Sequence, residues 1–123
     1  MRKTTYHDLN IWRTARDLAE TCRLVAGATA SGPADDLPDK IRDIASSLPA
    51  KIAEAYASGE EAFAACLIET RASLLLLEEL IVKSVQLGQT EKGAAETLSL
   101  LARSELSIVN ALMEAIDRKH QLE

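Results

Sequence analysis

Ile41-Arg42-Asp43-Ile44-Ala45-Ser46-Ser47-Leu48-Pro49-Ala50-Lys51-Ile52-Ala53-Glu54 is the stretch on which the fold turns. Within and around it Leu37, Ile41, Ile44, Leu48, Ile52 and Ala55 are spaced by 4, 3, 4, 4 and 3, so one helical face stays apolar straight through the proline. A helix broken at Pro49 would have lost that phase. Proline lacks a backbone N–H and its ring crowds the carbonyl four residues back, that of Ala45, so the segment predicts one helix with a kink at Pro49. The hydroxyls of Ser46 and Ser47 are placed to serve that orphaned carbonyl.

Working outward, the same periodicity marks three further helices. The first is expected from Asp8 as N-cap to about Ala26, with Trp12, Ala15, Ala19, Cys22 and Ala26 on its core face and Gly27 ending it. A loop rich in Gly, Pro and Asp spans Ala28 to about Asp36, and the second helix runs from about Leu37 to Ala57. Ser58-Gly59-Glu60-Glu61 has the form of a capping box opening a third helix that ends at Gly88. Thr90 is the expected N-cap of a fourth, reaching about Lys119 with Ala95, Leu98, Ala102, Leu106, Val109, Met113 and Ile116 as its core stripe. Short connections favour antiparallel neighbours, which predicts an all-α, up-down-up-down four-helix bundle forming a single domain over residues 1–123.

A chain of 123 residues buries roughly two thirds of the surface its unfolded form exposes, enough for its own core. Apolar residues make up 47 % but aromatics only 3 %, so Leu, Ile, Val and Ala must fill that core. The net charge of −5 opposes general attraction to nucleic acid or an anionic membrane. Met1 to Asp8 lacks a signal-type apolar region and no run approaches a membrane span, which predicts a cytoplasmic protein with no membrane partner. Cys22 and Cys66 fall on core faces of different helices, where an unpaired thiol acts as a small hydrophobe.

Chemistry is sparse. Bundle enzymes with two metals need Glu-x-x-His pairs, and the two histidines, His7 and His120, stand near opposite ends with no Glu at that spacing. No phosphate loop, zinc pattern or nucleophile with a nearby histidine occurs, so no catalytic, cofactor-binding or metal-ligating residue is assigned. Three charges on apolar faces, Arg71, Glu78 and Glu105, need an account: a tuned carboxylate in a pocket is one reading, and ion pairs to another helix or subunit, fixing helix register or subunit orientation, are the better one given no second catalytic group. Arg13, Arg16 and Arg23 line one side of the first helix and, with Arg2 and Lys3, give residues 1–26 a charge of +2 against −7 for the rest. That pattern is a candidate nucleic-acid contact. Asp17 and Glu20 four residues from Arg13 and Arg16 make an ordinary salt-bridged solvent face the better reading.

The third helix is apolar round most of its circumference. Phe63, Leu67, Thr70, Leu74, Leu77 and Ile81 supply one face, while Ala64, Ile68, Leu75 and Val82 form a second stripe roughly 110° away at the helical period, with Arg71 and Glu78 between them. Leu76, Leu80 and Leu87 widen the other flank. Four helices cannot cover so much surface, and a subunit interface at Ala64, Ile68, Arg71, Leu75, Glu78 and Val82 is the expected remedy.

The string around Pro49, with Asp8-Leu9-Asn10-Ile11-Trp12 upstream and Phe63, Leu67, Arg71, Ser73, Leu74, Leu77 and Glu78 downstream, resembles the bacterial four-helix-bundle family named for proteins encoded in intervening sequences of 23S ribosomal RNA genes. The accessory protein of diversity-generating retroelements is related to it. The resemblance covers about Tyr6 to Ile116, and Leu48 to Glu54 is its most specific part. It implies a homopentamer of bundles in a ring or barrel, without enzyme activity. The retroelement relatives add a second implied role, an accessory factor binding RNA or associated with a reverse transcriptase. Asp43, Lys51, Ala55 and Ala72 depart from the Arg, Asn and two Gly usual in the family, and Ala57 to Glu60 stand where it has basic residues, changes that mostly remove positive charge.

Overall fold

The computed structural model describes residues 6–28 and 37–122, and all four helices are present: α1 (Tyr6–Ala28), α2 (Leu37–Ser58), α3 (Glu60–Gln86) and α4 (Lys92–Leu122). No strand occurs among the described residues. Among the described residues each helix packs on its two neighbours in the cycle α1, α2, α3, α4, and the diagonal pairs, α1 with α3 and α2 with α4, make no contact. The expected loop before α2, Arg2, Lys3 and the side chains of Asp8, Ala26 and Gly27 lie outside the described residues.

The buried residues form one cluster. From α3, Phe63, Leu67, Leu74, Leu77 and Ile81 enter it together with Thr70, the whole face expected from the helical period. From α2 come Ile41, Ala45, Leu48 and Ile52, and Ile44 and Ala55 pack at its edge. On α1 the face is turned relative to the expectation: Ile11, Ala15, Leu18 and Cys22 are buried, whereas Trp12 keeps 36 % of its surface exposed and Ala19 is half-buried. The Arg16 guanidinium lies 4.8 Å from the Trp12 ring centre, an arrangement that stabilises an indole at the surface.

Several helix ends differ from the sequence reading, each for a local reason. α1 starts at Tyr6, so Asp8 falls inside the helix rather than at its N-cap, and the helix runs past Gly27. α2 is helical on both sides of Pro49. The Ser47 hydroxyl donates to the Ile44 carbonyl at 2.8 Å rather than to that of Ala45, and Ser46 is exposed. The first amide of α2, Leu37, donates instead to the Gln89 side-chain oxygen at 3.0 Å.

No capping box forms at α3. α2 continues through Ser58, whose hydroxyl turns back to the Glu54 carbonyl at 2.8 Å, and α3 begins with no side-chain cap. The whole connection is Gly59, at φ 117° and ψ 174°, a region open in practice to glycine alone. Tyr56 and Phe63 meet edge to face across this joint at 5.6 Å. Open space surrounds the Gly59 α-carbon, so Gly59→Ala should lose about 1–3 kcal/mol through backbone strain alone. Urea unfolding of the variant checks this, and unchanged stability would contradict the conformation.

α3 stops near the expected glycine: Gly88 takes φ 72° and its amide donates to the Val85 carbonyl at 3.0 Å. Thr90 is not the N-cap of α4. Its hydroxyl is buried against that of Ser84, because a hydroxyl sealed in the core without a partner is costly, and the Glu91 carbonyl accepts the first helical bond, from Ala95.

Candidate subunit interface

The spacing of Ile68, Leu75 and Val82 sets them one above another along α3, and they are 56 %, 52 % and 55 % exposed. Ala64 is half-buried and Arg71 exposed in the same stripe. Glu78, partly covered, accepts a 3.0 Å bond from the Arg103 guanidinium on α4. The stripe therefore follows the α3–α4 groove. Near its C-terminal end Val82, Val85, Leu100 and Arg103 line a depression of about 470 Å³, and towards the other end Ala64, Ile68, Met113 and Ile116 line one of about 60 Å³. Leu100, 67 % exposed beside Val82, extends the apolar surface onto α4; the sequence reading missed it because it lies opposite the core stripe of its own helix.

The three singled-out charges meet different fates. Glu78 has its interhelical ion pair, and Arg71 has none among the described residues. Glu105 contradicts the expectation of a partner: it is fully buried and neither carboxylate oxygen has a hydrogen bond. Burial pushes its carboxyl up to about 9, so it is protonated at neutral pH. Burial likewise pushes the Cys22 thiol up to about 12; Cys22 and Cys66 are both free and buried, and the Cys66 thiol contacts the Lys51 carbonyl and the Thr70 hydroxyl at 3.7 Å each.

On α1 the three arginines are exposed, and each differs in setting: Arg23 pairs with Glu20 at 3.6 Å, Arg16 stacks on Trp12, and Arg13 has no ion pair among the described residues. Among the described residues no group of three or more His, Cys, Asp or Glu is placed to hold a metal ion, and no helix is long and apolar enough to cross a membrane. No family model matches the chain, and no curated protein matches it.

Proposed function

We propose that the protein is a non-enzymatic, self-assembling four-helix-bundle scaffold or adaptor of the intervening-sequence type, active in the cytoplasm. The observation that carries this reading is the row Ile68, Leu75 and Val82, more than half exposed along the whole α3–α4 groove and continued by Leu100. An up-down-up-down antiparallel arrangement, bent at Pro49, belongs to the same reading. It is supported by contacts between opposite ends: Lys119 near the end of α4 meets Glu60 at the start of α3 at 2.9 Å, and Gln89 beyond α3 meets the start of α2.

A structural rather than catalytic role is supported by Glu105. Its carboxyl is pushed up to about 9 by burial alone, and it is sealed in the core. The nucleic-acid reading through Arg13, Arg16 and Arg23 is weakened by Glu20, an exposed carboxylate 3.6 Å from Arg23. Light scattering after gel filtration at micromolar concentration should give a homo-oligomer, with five subunits expected from the resemblance. A monomer would overturn the assembly, whereas a dimer or tetramer would remove only the number.

A further inference from the structure

We infer that the α3 stripe receives the outer face of α1 from a neighbouring copy, in a head-to-tail contact that puts Trp12 against the Ile68–Leu75 segment. This rests on the self-assembly reading and specifies which two surfaces meet. The first argument is where exposed apolar residues are found. α2 shows no large exposed hydrophobe among the described residues, and α4 shows only Leu100, beside the stripe, and Leu122 at its end. What remains on the faces of the helices is α3 on one side and Leu9, Trp12 and Leu24 of α1 on the other. α1 and α3 stand diagonally in the bundle, so neither patch can cover the other within one chain. Two different patches are what a closed ring of three or more subunits uses, in contrast to the single self-complementary patch of a two-fold dimer.

Charge is the second argument. At about 100° per residue Glu61 and Glu79, both exposed, border the stripe on its solvent side, and α3 as a whole carries five glutamates against Arg71 and Lys83. Leu9, Trp12 and Arg16 form one ridge of α1, with Arg23 in line further along it and Arg13 beside it, and Glu20, 3.6 Å from Arg23, lies on the same side. Pairing α3 with a second α3 would set glutamates against glutamates; pairing it with α1 sets Arg13 and Arg16, which have no ion pair among the described residues, against them. The third argument is residue type. Tryptophan and arginine dominate binding where they are buried together, and the Arg16 guanidinium already lies on the Trp12 ring at 4.8 Å, so the pair is held in shape before contact.

The test uses full-length chains carrying one disabled face each: Trp12→Glu, with Leu9→Glu as a second variant of that face, and Leu75→Glu. Each should keep wild-type helical circular dichroism and elute as a monomer. An equimolar mixture of an α1-face variant with Leu75→Glu should then give a heterodimer of twice the monomer mass and nothing larger, because one intact α1 face and one intact α3 face remain between them. Wild-type-like assembly of Leu9→Glu and Trp12→Glu, or a mixture that stays monomeric, would overturn the proposal. A wild-type chain that is itself monomeric would instead sink the self-assembly reading on which it rests, so the two failures are told apart by the unmodified protein.

Discussion

Replacing Glu105 by leucine is expected to stabilise the protein by about 3 kcal/mol at pH 7, an unusual direction for a substitution in a packed core. The folded carboxyl ionises near 9 against an ordinary 4.5, so between those values the native state holds a proton that the unfolded chain releases. Its contribution is fully present below pH 4.5 and is lost as pH rises, by about 1.4 kcal/mol per unit, until the folded group itself ionises. Urea unfolding at pH 6, 7 and 8, at one protein concentration because assembly adds to apparent stability, should show this decline in the wild type. Glu105→Leu and Glu105→Gln should both be flat over that range, and leucine should be the more stable because it leaves no unpaired polar atom. A wild-type stability independent of pH from 6 to 8 would contradict a sealed, unpartnered carboxyl.

The second large effect is expected at the groove. Changing Ile68 and Leu75 together to glutamate should release monomers that retain their helical circular dichroism. Both side chains are more than half exposed on the bundle, so the substitutions cost the single chain little. In a subunit contact the same carboxylates are driven out of water beside Glu61 and Glu79, and an unpaired buried charge costs several kcal/mol. At 1.4 kcal/mol per tenfold, even 3 kcal/mol weakens each contact more than a hundredfold. Light scattering distinguishes the outcomes: an oligomer of unchanged mass would remove α3 from the interface, and loss of helicity would mean that the two residues belong to the core.

The four helices were legible because each carries an apolar row at the helical period, and on α3 all six expected core residues are buried. The excess stripe was legible for the same reason. α1 was misread at Trp12 because the row Trp12, Ala15, Ala19 and Cys22 also keeps the helical period, whereas a guanidinium from the next turn lets the indole rest partly outside and leaves the core to Ile11 and Leu18. Ser58 and Thr90 were misread because a hydroxyl can serve either a new helix or another acceptor. Ser58 serves its own helix one turn back, and Thr90 is claimed by Ser84 six residues earlier, a choice made by packing. Glu105 stood out in the sequence as a charge on an apolar face, but the lack of any partner is a property of three dimensions.

Gln89 ties two remote moments of folding together. The Leu37 amide donates to its side-chain oxygen across 52 residues, which engages the first of the orphan donors at the start of α2. α2, the single-residue joint and α3 can form from near neighbours along the chain, yet the opening turn of α2 waits for the far end of α3 to come round and close a loop of that length. The amide of Leu37 is thus a reporter of that closure: its exchange with solvent slows once the start of α2 and the end of α3 have met.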